Sequence, residues 1–456
     1  MIDRSIYKDK KYWHLDGHKT IDMVYDYISS DNKILKHSFY PFIHYEMKFD
    51  KFNIKKNNGK KKAKIRQIYY CSHIDRYIYQ RFGNCYNDFY NSYCQEKEFD
   101  KCSIAYRNNK KGKCNIHFAK DVFRFIKDKE NCFIMVGDFT NFFDNLDHKY
   151  LKEKLCIVSN QKKLTDVQYK IFKSITRFSY LDIKDIADFL CIPQKKITTL
   201  KPRLTSSQLH NLKGKFLKHN KDDENNWKTY GIPQGSPISA IFANVYMIDF
   251  DEKLNEFTKK YKGLYRRYSD DFIIVIPNIK QEKFEDVAKN ILGIVNSIPN
   301  LTLENKKTAF YHYNQKSLTP INNVLSGQIN ENSLLNFLGF TFDGDTIKLR
   351  DKSITKYYYK LYSTIDRQIR LELKRENNNP KNRKGVKHRR RAIIKKKSKL
   401  GAKIINGKGT NFISYVKKCI SLFPNEKAII KVKDRSLDKI SKRFNVKNRI
   451  LHGDKF

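Results

Sequence analysis

The sequence predicts an α+β fold in which short apolar strands end in carboxylates, helices lie between them, and a basic helical segment follows. Three segments carry that reading. NCFIMVGDF, 131–139, is short, apolar and partly β-branched, the pattern of a buried strand, and Asp138 stands at its end. In 236–248, Ser236 can cap a helix and Pro237 suits its first position, while Ile238, Ile241, Phe242 and Val245 recur at helical spacing. YKGLYRRYSDDFIIVI, 261–276, reads as a β-hairpin with Ser269, Asp270 and Asp271 at its tight turn. Alternation is weak in FIIVI, so both faces of that strand should be covered. A split β-α-β-β-α-β layout accommodates these elements and brings Asp138, Asp270 and Asp271 to one end of a central hairpin.

The remaining elements follow in chain order. Residues 1–60 read as a mostly helical, basic entry region closed by KKNNGKKK, a turn between two strands with Gly59 as its break. KIRQIYY, 64–70, suits a strand, and IDRYIYQRF, 74–82, suits the start of a helix. FFDNLDHKYLKEKL, 142–155, continues into a helix. Residues 157–229 contain the helical pattern VQYKIFKSITRF and end in the polar loop NKDDENNWK. A boundary falls near 345–352. Beyond it the chain is rich in Tyr, Lys and Arg, and reads as helical with one disordered basic loop at 381–399.

Composition sets the outer limits. The chain has 456 residues, 40% of them hydrophobic, with 29 Tyr and 31 Phe, enough for two or three packed units with an aromatic core. Lys and Arg number 92 against 48 Asp and Glu, a formal net charge of +44. Such an excess repels itself unless a polyanion balances it, and nucleic acid does so with release of condensed counterions. The nine Cys include no CxxC pair and are irregularly spaced, which argues against a disulfide framework or zinc site and suits reduced thiols in a cytoplasm. MIDRSIYKDKKYWHLDGHK has no apolar core of a signal peptide, and the longest apolar runs, 132–136 and 272–276, are far short of a membrane span.

Asp138 is remote in sequence from Asp270 and Asp271, yet adjacent strands of one sheet would join their ends. Two neighbouring Asp in an apolar turn are unfavourable unless a cation neutralises them. Hard divalent ions take oxygen ligands, and magnesium shares carboxylates with substrate phosphates. Two such ions, about 3.5–4 Å apart, can activate a 3′-hydroxyl and stabilise a leaving pyrophosphate. Two Mg2+, with Mn2+ as a substitute, are the expected cofactors. The Asp pair alone is equally compatible with a solvated turn.

The surrounding residues break that tie. Tyr268-Ser269-Asp270-Asp271, between Arg-Arg and FIIVI, resembles the YxDD signature of reverse transcriptases. GDFTNFFD, 137–144, resembles their first catalytic motif, in which Asp138 is the metal ligand. GIPQGSPISAIFANVYM, 231–247, is similar to the GxPQGSxxSxxLAN block of bacterial members. The resemblance spans about 60–345. It implies a right-hand polymerase with an N-terminal extension and fingers over 1–130, a ferredoxin-like or RRM-like palm over 131–348, and a mainly helical thumb-like domain over 349–456.

Residue by residue, the resemblance implies Asp138, Asp270 and Asp271 as catalytic metal ligands, with the Phe139 carbonyl as an extra ligand. KIRQI and SIAYR resemble blocks in which Lys64, Arg66 and Arg107 contact the nucleotide, and ENKKT resembles the block carrying Lys307. Phe143 matches the steric gate that would collide with a ribose 2′-hydroxyl; plain core packing is its competing role. Gln234 and Gly235 would line the nucleotide pocket, Gly letting backbone approach substrate closely. FLGF resembles the primer grip, at Phe337, Leu338 and Gly339. The departures are the long gap between the first catalytic motif and GIPQG, which implies an insertion at about 157–229, and Ser269, where intron-encoded members more often have Ala. No nuclease motif follows residue 345, and no retron-type thumb signature is visible.

What remains resembles the bacterial unknown-group and abortive-infection reverse transcriptases, many of which serve in anti-phage defence. The implied function is RNA-directed DNA polymerisation with dNTPs on a dedicated structured RNA, with a homo-oligomer, a second polymerase or an effector protein as further partners. Two other readings stay open: a template-independent or protein-primed DNA polymerase, and an RNA-binding, maturase-like protein with an idle site. In the tail, Lys387, Arg389, Arg390, Arg391, Lys395, Lys396 and Lys397 are the expected phosphate contacts, which position a duplex without reading sequence.

Overall fold

The computed structural model describes residues 3–51, 62–197, 204–325, 327, 333–378, 383–405 and 408–452. The entry region supplies two short helices, α1 (Ile21–Ile28) and α2 (Asp31–Leu35), then strand β1 (Phe42–Lys51). β1 pairs antiparallel with β2 (Lys62–Tyr70), from Ile43 opposite Tyr70 to Lys51 opposite Lys62. The polar stretch 55–61 that should join them lies outside the described residues. Two helices follow, α3 (His73–Glu96) and α4 (Asn115–Lys127). Ser72 caps α3, its hydroxyl accepting from the Asp75 amide at 3.1 Å.

The central sheet begins with β3 (Asn131–Asp138), after which α5 (His148–Val158) and α6 (Asp166–Thr176) lead into the insertion. The insertion does not loop away from the fold. Its β4 (Ser179–Asp182) pairs parallel with β1, and β5 (Lys218–His219) pairs with β4, giving the sheet order β2-β1-β4-β5. Two further helices of the insertion, α7 (Ile183–Phe189) and α8 (Gln194–Ile197), precede α9 (Ser206–Phe216). His44 ties this sheet together, bonding Asp182 at 2.9 Å on one side and Gln67 at 2.6 Å on the other.

Beyond the insertion come α10 (Ser239–Tyr246), α11 (Ile248–Lys260), β6 (Leu264–Tyr268), β7 (Asp271–Pro277), α12 (Phe284–Asn296), β8 (Ala309–Asn314) and β9 (Ser317–Ile321). The sheet order is β6-β7-β3-β8-β9 with every neighbour antiparallel, so the predicted β-α-β-β-α-β layout is present with β9 added at one edge. Both faces are covered. Phe133, Met135, Phe272, Ile274 and Ile276 enter one apolar cluster, while Cys132, Ile134, Ile273 and Val275 enter another on the opposite face.

Two sequence expectations are corrected. The helix predicted from Ser236 and Pro237 starts at Ser239, because the Ser239 hydroxyl donates to the Pro233 carbonyl at 2.7 Å and holds the preceding residues in turns. The basic loop predicted in the tail is helical over Arg383–Lys397. A small sheet, β10 (Leu335–Phe337), β11 (Phe340–Phe342) and β12 (Ile347–Leu349), leads into the C-terminal helices. These are α13 (Asp351–Asn378), α14 (Arg383–Lys397), α15 (Phe412–Leu422), α16 (Lys427–Asp434) and α17 (Ser436–His452).

One glycine of the central sheet is fixed by packing. Gly137 faces Phe272 across the β3–β7 pair, and a Cβ there would lie 2.3 Å from the Phe272 ring. Overpacking of this kind typically costs about 1–3 kcal/mol. Gly137→Ala should lower stability by that amount in urea denaturation, and an unchanged midpoint would mean that the ring moves aside freely.

Candidate active site

The hairpin of β6 and β7 is closed by two residues, with Tyr268 opposite Asp271 and Ser269–Asp270 between them. Ser269 takes φ +63, a left-handed conformation that hairpin turns usually give to Gly. The strain is held by the strand before it. Arg267 is wholly buried, and its guanidinium donates to the Ser269 carbonyl at 2.9 Å. The same group grips the wholly buried Asp251 of α11 in a fork, at 2.7 and 2.6 Å. Further bonds reach Asn244 of α10 at 3.2 Å and Ser103 at 3.3 Å, and the Tyr265 hydroxyl donates to Asp251 at 2.6 Å. The backbone of Arg267 is also bonded on both sides to 102–104. The Ser269–Asp270 turn is therefore anchored to two helices and a loop at once.

Asp138 ends β3 directly opposite Asp271. The Phe139 amide donates to the Asp270 carbonyl at 3.3 Å, and the Phe139 ring is buried. The three Asp residues thus stand side by side where β3 and the β6–β7 turn end. Crowding by the surrounding protein, followed by the Asp270 and Asp138 charges, pushes the Asp271 carboxyl up to about 7, with Lys307 and Arg350 opposing. Asp271 is open to solvent on one side, so water screens part of that push. Lys307 extends its ammonium onto Asp138 Oδ2. Its loop is fixed because the Glu304 amide donates to the Asp138 carbonyl at 2.8 Å, and the Lys307 amide to the Glu304 carbonyl at 2.9 Å.

Among the residues expected to meet a nucleotide, Phe143 is half-buried beside the core residue Phe142, ring centroids 5.6 Å apart, and its carbonyl accepts from the Ile232 amide at 2.9 Å. The turn of Gln234 and Gly235 touches β2: the Gln234 carbonyl accepts from the Tyr69 amide at 2.9 Å. Gly235 has φ +129, and a Cβ there would lie 2.4 Å from the Tyr69 carbonyl oxygen, so no other residue fits. Arg66 is exposed on β2; Lys64 lies on the same strand, its side chain outside the described residues. Arg107 departs from expectation. Its guanidinium is turned inward onto Asn91 at 2.8 Å and the Asp100 carboxylate at 2.6 Å, so its donors brace the 100–108 loop.

Phe337, Leu338 and Gly339 form the tight turn between β10 and β11. Positive φ at both Leu338 (+46) and Gly339 (+89) makes it a type I′ turn. Asn115 of α4 donates to the Leu338 carbonyl at 3.0 Å and fixes the turn against that helix. In α14, Arg391, Lys395 and Lys396 are exposed and Lys397 is half-buried, while the side chains of Lys387 and Arg389 fall outside the described residues. Arg390 is corrected from phosphate contact to brace: it bonds the buried Glu372 of α13 at 2.9 Å. A cavity of about 440 Å3 opens beside Tyr268, with Tyr106, Lys110, Lys113, Pro237 and Ala240 on its wall.

Residues 54–342, well over half of the chain, match the family described as reverse transcriptase (RNA-dependent DNA polymerase). The chain belongs to the reverse transcriptase family. Among curated proteins none matches it. Similar solved structures include apo telomerase from Candida tropicalis truncated from its C-terminal domain, 12% identical over 72% of this chain and 60% of that one, TM-score 0.40. Telomerase from Candida albicans in complex with a TWJ fragment of telomeric RNA is 16% identical over 92% of this chain and 62% of that one, TM-score 0.39. The chain thus spans about three fifths of the length of these telomerases.

Sequence reasoning missed the Arg267–Asp251 network. The available signal was an Arg in the strand that pairs with FIIVI, the strand expected to be covered on both faces, since a buried Arg requires a buried acid. Removing one partner of such a pair typically costs about 3–5 kcal/mol. Arg267→Met should therefore destabilise the protein by about that amount in urea denaturation, and adding Asp251→Leu should restore most of it. A single variant as stable as the parent would show that the pair is not what anchors the turn.

Proposed function

We propose that this reverse transcriptase is an active RNA-directed DNA polymerase that adds dNTPs to a primer end by two-metal nucleotidyl transfer. The supporting observation is the meeting of Asp138, Asp270 and Asp271 at one end of the β-α-β-β-α-β sheet. Enzymes of this family use divalent metal ions. The donor set fits such ions: three carboxylates lie close enough for their charges to oppose ionisation of Asp271, and an ammonium already compensates Asp138. Among the described residues, no three such side chains are yet gathered in a ligating arrangement. Asp138, Asp270 and Asp271, with the Phe139 carbonyl, would hold magnesium, or manganese in its place. Such ions supply Lewis-acid activation of the primer hydroxyl and charge neutralisation at the phosphates.

The chain's own residues do the positioning. Lys307, exposed beside Asp138, would meet the triphosphate together with Arg66 and Lys64. Gln234 and Gly235 would form the floor under the incoming nucleotide, and Phe143 would exclude a 2′-hydroxyl. The Phe337–Gly339 turn would hold the primer end, and the cavity beside Tyr268 the template. We assign fingers with an N-terminal extension to 1–130, palm to 131–348 and a thumb-like domain to 349–456, with Arg391, Lys395 and Lys396 of α14 on duplex phosphates. The defence role on a dedicated non-coding RNA rests on the likeness of GDFTNFFD and SIAYR to the abortive-infection class.

The test is primer extension by purified protein with its co-purifying RNA retained, magnesium and labelled dNTPs. DNA product should form, should vanish on prior RNase treatment, and should fall by at least about 10³-fold in Asp270→Ala/Asp271→Ala, since metal catalysis contributes several kcal/mol. Product that survives RNase would replace the templated reading with untemplated synthesis. Phe143→Ala should raise rNTP incorporation while dNTP use persists; unaltered rNTP use would reduce Phe143 to core packing.

A further inference from the structure

A second cavity, of about 380 Å3, lies where the insertion meets the N-terminal segment. Its wall is aromatic. Phe39 and Phe178 come from the two sides of the seam and Trp227 from the loop after β5. Phe39 is braced from behind by a stacked Tyr79, centroids 5.4 Å apart and planes 14° apart. Trp227 is half-buried, held edge-on by His219 at 5.5 Å. Its rim is basic. Lys170, Lys173 and Arg177 lie one turn apart along α6 and its end, so they project from one side of the helix, and no carboxylate lines the cavity. Lys170 donates to the Leu35 carbonyl. Lys173 and Arg177 are exposed, and among the described residues neither has a carboxylate partner.

From this we propose that the cavity is a binding site for an unpaired nucleotide of single-stranded RNA, its base against Trp227 and Phe39 and its flanking phosphates on Lys173 and Arg177. Rigid, half-buried rings beside uncompensated cations are the composition that sequence-tolerant single-strand sites use, each stacked base contributing about 1–3 kcal/mol. A paired base offers no free face to such rings, so duplex is excluded. The cavity volume falls within the range of small-ligand sites, about 300–1,000 Å3. None of its lining residues belongs to the site around Asp138. The insertion thereby acquires a role: by extending the β1–β2 sheet it builds a hold for RNA outside the polymerase cleft. The proposal does not rest on polymerase activity, because binding alone is read.

The chain has two Trp, so Trp13→Phe leaves Trp227 as the only indole. Single-stranded decaadenylate RNA, added to this protein without divalent metal, should quench Trp227 fluorescence saturably. Lys173→Glu/Arg177→Glu should raise the Kd at least tenfold, with extension of a pre-annealed template–primer unchanged. Charge reversal at exposed Lys162 and Lys163 should raise it no more than about threefold, the general loss expected of a polyanion. Absence of quenching, an equal Kd in Lys173→Glu/Arg177→Glu, an equal loss in the Lys162/Lys163 control, or equal quenching by a blunt RNA duplex would each overturn the site. Quenching by AMP at the affinity of the decamer would overturn the RNA assignment in favour of a free nucleotide. Extension missing from parent and variants alike would count against the polymerase reading and leave the binding result standing.

Discussion

The ion pair between Arg267 and Asp251 joins the chemistry to the scaffold. Neither side chain reaches water, so each charge is tolerable only because the other is within hydrogen-bond distance and the remaining donors are met by Ser269, Asn244 and Ser103. The fork geometry of the guanidinium matters here. A Lys could match the charge of Asp251, but a single ammonium on a flexible stem would not reach the helix, the loop and the turn together. What this group holds is a strained residue: Ser269, left-handed without being Gly, stands between Arg267 and the two carboxylates. Strain of this kind persists where surrounding structure over-determines it. The placement of Asp270 and Asp271 is thereby made a consequence of packing deep beneath them.

The carboxylates themselves work against folding. Asp138 and Asp271 are cross-strand partners, and like charges directly opposite one another destabilise a sheet. Burial first, and that repulsion second, raise Asp271 towards neutrality, and the Lys307 ammonium on Asp138 offsets part of the repulsion. The sheet tolerates it because its interior is apolar on both faces and because Gly137, one residue before Asp138, lets the Phe272 ring pack closely against the strand. A site that is electrostatically unfavourable when empty of cations, on a scaffold rigid enough to maintain it, is suited to bind cations rather than merely to adjoin water.

Much of this was legible in the sequence because it is local. FIMV and FIIVI are short, partly β-branched apolar runs close to carboxylates, and both form strands. The turn at Asp270 and Asp271 follows from the run lengths on either side. The α+β class and the sheet layout were readable for that reason. The start of α10 was misplaced because Ser236 and Pro237 look like a cap, while the backbone is decided by a contact three residues on, from Ser239 to Pro233. Arg107 and Arg390 carried charge that suggested phosphate, yet each is turned onto an internal acid, Asp100 or Glu372. Charge shows in a sequence; the partner that neutralises it, when distant, does not.

The insertion shows the same limit from the other side. Nothing local in 157–229 says that β4 will pair with β1, which lies before β3 in the chain. That parallel pairing is non-local, and its register is set by the side chains that bridge it, with His44 reaching Asp182 across the seam and Gln67 within the older pair. Once the pairing is made, α6 is forced alongside the N-terminal aromatic residues, and its basic side is left facing outwards over them. The GIPQG turn is drawn into the same assembly, because Gly235 must pass against the Tyr69 carbonyl of β2. Insertion, N-terminal sheet and the Gln234–Gly235 turn are thus joined by direct backbone contacts.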